Sequence, residues 1–257
     1  MAKIVSIHSF RGGTGKSNIT ANVASQFARR GNRVGVIDTD IQSPGIHVIF
    51  GMDEQKIDKA LNDYLWGQCR IEEAAYDVSA KIGDGEVTLM SGGIYLIPSS
   101  IRAGEIARVL REGYDVGLLN DGFQALIEKL NLDYLFIDTH PGLNEETLLS
   151  VAISDVLIII LRTDQQDFQG TAVTVDVARK LEVPNLYLVI NKAISSYDLA
   201  DLKKQVEETY GAPVAAIIPL SEDVASLQSS DIFSLRYPDH PVSQQIYKIV
   251  AAIEAMN

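Results

Sequence analysis

The sequence predicts an α/β fold: a doubly wound, mostly parallel sheet with helices on both faces. Three observations carry the prediction. Short, almost wholly apolar runs recur at residues 3–8, 34–38, 93–98, 134–138, 155–161, 185–190 and 214–218, as strands buried on both faces require. Segments with helical spacing lie between them, so strand and helix alternate. The first strand and helix are joined by a glycine-rich turn, Phe10-Arg11-Gly12-Gly13-Thr14-Gly15-Lys16-Ser17, whose Gly-Lys-Ser ending is the second half of a phosphate loop.

Composition bounds the rest. The chain has 257 residues and 46% hydrophobic content, enough to bury a sheet, and no linker or repeat divides it, so residues 1–257 are read as a single domain. The longest apolar run, residues 156–161, is too short to span a bilayer. Residues 1–3 lead straight into the first strand without a signal peptide, and a cytoplasmic location is expected. Cys69 is the one cysteine, which excludes an internal disulfide and a cysteine-rich cluster site. A net charge of −12 does not favour DNA binding through a generally basic surface; it leaves a local patch open.

The loop chemistry is specific. Gly12, Gly13 and Gly15 let the backbone adopt shapes closed to other residues and approach a phosphate closely. The amides of residues 13–17 form a nest at a helix N-terminus. Lys16 reaches the β- and γ-phosphates and the Ser17 hydroxyl ligates Mg²⁺. With Thr14 and Asn18 these residues make the expected nucleotide cradle. The bland alternative, a turn that happens to contain Lys-Ser, fits the flanking strand and helix less well.

Along the chain, the helix at residues 18–30 stops at Gly31. The strand at 34–38 delivers Asp38-Thr39-Asp40 at its C-terminal end, where parallel sheets carry their ligands; capping aspartates are the alternative. Ile57, Leu61 and Leu65 suggest a surface-lying helix over residues 53–76, with Trp66 packing there or anchoring a partner. A turn and a hairpin or excursion are expected at residues 81–91. Arg102, Arg108 and Arg111 make either a small basic patch or a solvated face paired with Glu105 and Glu112. A helix at 121–130 feeds four apolar residues ending in Asp138, the pattern of a buried strand presenting a Mg²⁺ ligand. Helices follow at 143–153, 197–210 and 243–256, with strands at 155–161, 185–190 and 214–218. Asn191-Lys192 partly matches a guanine-reading motif, but position 194 is Ile rather than Asp, so ATP is favoured over GTP.

Arg11 to Ser17 resembles the deviant phosphate loop of the MinD/ParA family of ATPases, Lys-Gly-Gly-x-Gly-Lys-Thr/Ser, with Arg11 in place of the signature lysine. Residues 38–45 resemble that family's Asp-x-Asp-x-Gln segment, and residues 134–142 its Asp-x-Pro-Pro-Gly stretch, with His140 replacing one proline. The resemblance extends over nearly the whole chain and implies a P-loop NTPase fold of the SIMIBI type. It implies ATP and Mg²⁺ as cofactors, with Asp40 placing or activating the attacking water, Asp38 supporting Mg²⁺, Asn191 contacting the adenine edge and Pro219 lying against the base. It implies an ATP-dependent homodimer with Arg11 reaching the partner's nucleotide, residues 162–167 at the interface, and a protein partner or activator. An arginine fork is wider than a lysine point charge, which bears on that cross-dimer geometry. His140 reads as a loop histidine. Three roles stay open: a positioning ATPase on DNA, one on membrane, or a metabolic ligase-type enzyme. Relatives that ride on membranes carry a basic amphipathic tail; residues 243–257 hold one basic residue, Lys248, against Glu254, so no self-encoded membrane tail is expected.

Overall fold

The computed structural model describes residues 2–83 and 92–256. Most of the stretch expected to form a hairpin or excursion, 84–91, lies outside them. In chain order the main elements are β1 (Lys3–His8), α1 (Lys16–Arg29), β2 (Arg33–Asp38), α2 (Ile46–Ile49), α3 (Leu61–Leu65), β3 (Tyr76–Asp77), β4 (Gly93–Ile97), α4 (Ala103–Glu112), α5 (Gly117–Lys129) and β5 (Tyr134–Asp138). They continue with α6 (Glu145–Ala152), β6 (Val156–Leu161), α7 (Gln165–Lys180), β7 (Asn185–Ala193), α8 (Leu199–Tyr210), β8 (Val214–Pro219), α9 (Glu222–Ser226), α10 (Phe233–Arg236) and α11 (Pro241–Glu254).

The strands form one sheet in the order β3-β4-β2-β5-β1-β6-β7-β8. Every described pairing is parallel except the short β3–β4 pair. Alternation along each strand assigns its two faces. In β5, Tyr134 and Phe136 join the core under α1 and α11, while Leu135 and Ile137 join that under α5. In β6, Val156, Ile158 and Ile160 face the first layer and Leu157, Ile159 and Leu161 pack against α7 and α8. All six β6 residues are buried, as the doubly covered strand requires.

One expectation is corrected. The helix expected over 53–76 is broken into a single turn at Glu54–Lys56, the short α3, and another turn at Ile71–Ala74. Ile57 is extended, and Gly67 turns the chain left-handed after Trp66. The segment does lie at the surface: Glu54, Gln55, Lys56, Asp58, Gln68, Arg70 and Glu73 are exposed while Ile57, Leu61 and Leu65 are all buried. Elsewhere the structure adds helices the sequence reading left unassigned, α2, α7, α9 and α10, with Gln165–Asp167 of the expected interface loop opening α7; the other differences are at element ends: β7 runs three residues past Ile190, and α11 starts at Pro241, its first turn capped by the His240 imidazole accepting from Val242 N at 3.1 Å.

The parallel arrangement brings the C-terminal ends of β1, β2, β5, β6, β7 and β8 to one edge of the sheet. Register fixes the detail: Asp38 stands beside Asp138, and Ile7 beside Asp138 on the other side.

Candidate nucleotide site

The turn between β1 and α1 has the required backbone. Gly13 and Gly15 have φ of 74° and 95°, in the left-handed region that favours glycine. At Gly15 a Cβ would also lie 2.5 Å from Asn191 Nδ2. Gly12 is different from expectation: it is not left-handed, and an added Cβ would make only ordinary contact with Pro141 at 3.9 Å. Gly15 is the N-cap of α1 and offers no side chain to the first-turn amides, and no acidic residue lies in that turn. Those amides are therefore open to an anion. Lys16 is buried at 7% exposure and has no ion pair with a carboxylate among the described residues, the condition of an ammonium suited to phosphate.

Opposite the loop, three carboxylates converge. Asp38 and Asp138 are buried and Asp40 is mostly so. Asp38 accepts from Asp40 N at 3.0 Å and Gly45 N at 3.2 Å. Burial pushes its carboxyl well above the usual range, and the neighbouring charges of Asp138 and Asp40 add to this. Asp138 accepts from the Thr20 hydroxyl at 3.2 Å. Burial raises it, Lys16 and the hydroxyls of Ser17 and Thr20 pull it down, and it comes to about 6. Asp40 is raised by burial against the opposing pull of His140 and Lys16. Buried like charges of this kind suit a cation. Among the described residues no group of three His, Cys, Asp or Glu side chains forms a metal site unaided. Mg²⁺ does not need one: it typically takes one or two protein carboxylates, with phosphate and water oxygens completing the shell. Ser17, Asp138 and Asp38 fit that role.

A cavity of about 420 Å³ opens beside the loop, between α1 and the ends of β7 and β8; its walls include Asn18, Ile19, Asn191, Pro219, Ser221 and Phe233. Asn18 donates to Ser229 Oγ at 3.4 Å. Asn191 donates to Thr14 O at 2.7 Å and accepts from Lys192 N at 2.9 Å. One hydrogen and one lone pair of its amide remain for a base. Lys192 takes a left-handed φ of 57° and donates to Gly13 O at 2.9 Å. Together these two residues clamp the loop from β7. Sequence reasoning missed Lys192; its adjacency to Asn191 was the available signal. It also missed His8, fully buried below the loop. The Thr139 hydroxyl donates to Ile7 O at 3.0 Å, so His8 Nδ1 donates to Thr139 Oγ1 at 2.8 Å. Burial, then Lys16 and His140, lower the His8 imidazole to about 3.

Arg11 stands away from the phosphate cradle. Its side chain is 42% exposed and lies 3.9 Å from Asp167. That carboxylate is already held by the Arg162 guanidinium at 2.9 and 3.2 Å and by Arg162 N at 3.0 Å. The contact holds Arg11 loosely. Phe10 instead packs on α7, where a Cβ on Gly170 would lie 2.1 Å from its ring. Trp66 stacks under the Arg108 guanidinium at 3.8 Å, and Arg108 pairs with Glu112 at 3.1 Å. This arginine therefore belongs to a paired face. His140 Nδ1 contacts Pro141 O at 2.6 Å, and its Nε2 lies 3.7 Å from Asp40 Oδ1.

Comparison with known proteins bears on the fold and the family. The ParA family model, described as NUBPL iron-transfer P-loop NTPase, matches residues 1–254. The uncharacterized ATP-binding protein MJ0547 of Methanocaldococcus jannaschii is 25% identical over 254 residues, covering 98% of this chain and 88% of that protein. An iron-sulfur cluster carrier protein of Clostridium perfringens is 26% identical over 232 residues, 86% of this chain and 77% of that one. The cell division ATPase MinD of Pyrococcus furiosus superposes with a TM-score of 0.80 at 22% identity over 100% of both chains. MinD of Pyrococcus horikoshii, complexed with Mg-ADP, gives 0.79 at 20% identity over 100% of this chain and 97% of that one. The chain belongs to the ParA family of P-loop NTPases, alongside the MinD/ParA ATPases.

Proposed function

We propose that this protein is a Mg²⁺-dependent ATPase that hydrolyses ATP to ADP and phosphate, forms an ATP-dependent sandwich homodimer, and acts as a spatial-positioning or regulatory switch, with residues 1–257 as one ATPase domain. The observation that carries the reading is Lys16: a buried ammonium in a glycine turn at a helix N-terminus, facing Asp138 across the sheet edge. In this reading the loop amides, Lys16 and Ser17 bind the phosphates. Asn18, Asn191 and Pro219 line the base cavity, and Asp40 orients the water. Mg²⁺, held by Ser17, Asp138 and Asp38 beside the phosphates, would offset their charge. Arg11, exposed and loosely paired, is free to serve a partner's nucleotide.

Relatives include iron-sulfur cluster carrier proteins. Cluster ligation commonly takes four thiolates, and Cys69 is the one cysteine of this chain, so a twofold dimer would supply two. The switch reading is favoured on that ground. The metabolic ligase-type alternative would need a carboxylate or amine substrate to stimulate turnover.

Calorimetric titration with ATP and Mg²⁺, phosphate release and light scattering together test the proposal. Micromolar ATP binding, slow turnover and a doubled mass with ATP are expected. Absence of ATP binding would remove the nucleotide assignment; a monomer under all nucleotides would remove the switch.

A further inference from the structure

One wall of the cavity beside the phosphate loop is a strained turn. Gln228 and Ser229, between α9 and α10, take φ of 51° and 56° in succession, and both line the cavity. Two adjacent left-handed residues that are not glycine cost conformational free energy, and such a pair persists only where its surroundings hold it. Here both sides are held. Gln228 N donates to Ala225 O and Ser230 N to Leu227 O, each at 3.0 Å. Just beyond, Asp231 pairs with Lys81 at 3.2 Å and with Arg236 at 3.3 Å, and Phe233 is buried.

A hydrogen-bond relay from the core fixes what this turn presents. A backbone amide can only donate, so Ser234 N, 2.7 Å from Asn22 Oδ1, sets the orientation of the Asn22 amide. Asn22 Nδ2 therefore donates, to Asn18 O at 2.8 Å and to Asn18 Oδ1 at 3.3 Å. That in turn aims Asn18 Nδ2 at Ser229 Oγ, 3.4 Å away. Asn22 and Ser234 are buried at 2% and 0% exposure, which keeps water from reversing the order. Every link runs the same way, and the Ser229 hydroxyl accepts at its end. The hydrogen of that hydroxyl has no recipient among the described residues. The relay thus reaches the cavity wall as a donor.

We propose that the donor serves the sugar: Ser229 Oγ gives its hydrogen to a ribose hydroxyl oxygen of the bound nucleotide and makes the site selective for that hydroxyl. This rests on the nucleotide reading above and adds recognition of the sugar to it. Asn18 directly follows Ser17, the end of the phosphate cradle, while Asn191 and Pro219, assigned to the base, stand at the ends of β7 and β8. The sugar joins phosphates to base, and Asn18 with Ser229 forms the corner of the wall next to the cradle on the α1 side. A ribose hydroxyl oxygen has the lone pairs that such a donor needs.

The test is calorimetric titration of the whole chain, with Mg²⁺, by ADP, 2′-deoxy-ADP and 3′-deoxy-ADP. The wild type should bind ADP about 3–10-fold more tightly than one of the two deoxy analogues, as one hydrogen bond allows. Ser229→Ala keeps the Cβ and removes the hydroxyl. It should lower ADP affinity to that of the discriminated analogue and leave the analogue's own affinity and the melting temperature unchanged. Ser229→Gly also relieves the left-handed strain, and its affinity ratio should likewise fall to about one. A wild type that binds all three nucleotides equally overturns the proposal. So do variants that keep the wild-type ratio, including an equal weakening of all three, which makes Ser229 a packing or base contact. If the wild type binds no ADP, the nucleotide reading falls and this one with it; tight ADP binding without sugar discrimination removes this one alone.

Discussion

The two flanks of the phosphate loop are built on opposite principles. On the β7 flank each contact joins a donor to an acceptor: Asn191 and Lys192 donate to the carbonyls of Thr14 and Gly13, and the amide of Asn191 occupies the space beside Gly15. On the β2–β5 flank, Asp38, Asp40 and Asp138 crowd near one ammonium, and burial raises all three. The first flank is complete within the chain and fixes shape. The second is electrostatically unfinished and suits completion by a cation and its phosphates. Dividing the labour in this way lets charge change on one side while the loop keeps its conformation from the other.

The strongest way to break the comparison is Lys16→Ala. Removing the buried ammonium of the cradle should weaken ATP binding below calorimetric detection, because triphosphate charge is left uncompensated. Near-normal affinity would sink the phosphate-loop assignment. Asp40→Ala should come next: ATP binding is kept, while hydrolysis slows on the order of 10²–10⁴-fold and the ATP-bound dimer accumulates in light scattering. Unchanged turnover would remove its water-orienting role.

The charge of the unfinished flank should also be visible without nucleotide. Asp138 lies at about 6 in the folded chain, above the ordinary carboxylate value, so the folded state binds its proton more tightly than the unfolded one. Stability from this group is therefore present in acid and is lost as pH rises from about 4 towards 6. The free protein should be more stable near pH 5 than near pH 7, by about 1 kcal/mol, with Asp38 acting in the same direction. Denaturant titrations at the two pH values, with and without Mg-ADP, measure this. Equal stability, or a slope that Mg-ADP leaves unchanged, would count against a cation site here.

Breaking the completed flank should have a smaller effect of a different kind. Asn191→Ala leaves the buried Thr14 carbonyl without its donor, a cost of roughly 1–3 kcal/mol. ATP affinity and stability should fall together with kcat little changed; a selective loss of kcat would place Asn191 in the chemistry. Arg11→Ala should matter least to a single chain, since an exposed pair contributes about 0–1 kcal/mol. It should instead weaken ATP-dependent dimerisation, followed by light scattering. Equal loss of monomer ATP affinity would return Arg11 to its own subunit's cradle.

What the sequence made legible follows the same division. Lys16, Ser17, Asp38 and Asp138 could be located because glycine spacing and strand ends announce them, and register sets the two aspartates side by side. The clamp was harder to see: Lys192 acts through a left-handed backbone and a carbonyl far away in the chain, neither of which leaves a local pattern. Residues 53–76 misled for a related reason. Ile57, Leu61 and Leu65 have helical spacing, yet they are buried from short turns because Gly67 and an extended Ile57 interrupt the helix. The position of His140 beside Asp40 likewise depends on two loops meeting. Of the membrane expectation, the structure adds only that no helix among the described residues is long and apolar enough to cross a bilayer.

The place of β1 has a consequence in time. Val5 pairs with Phe136 on one side and Val156 on the other, so the strand that presents the phosphate loop has no sheet neighbour until β5 and β6 have been synthesised. At ribosomal rates that delay is on the order of ten seconds. The clamp from Asn191 and Lys192 is made later still, and Pro219 later again. A nascent chain thus carries its most recognisable motif well before it acquires the means to hold nucleotide, which waits for Asn191, Lys192 and Pro219. Ligand that binds only the finished molecule draws the equilibrium towards it, so the nucleotide rewards completion of the fold and leaves its partial forms unassisted.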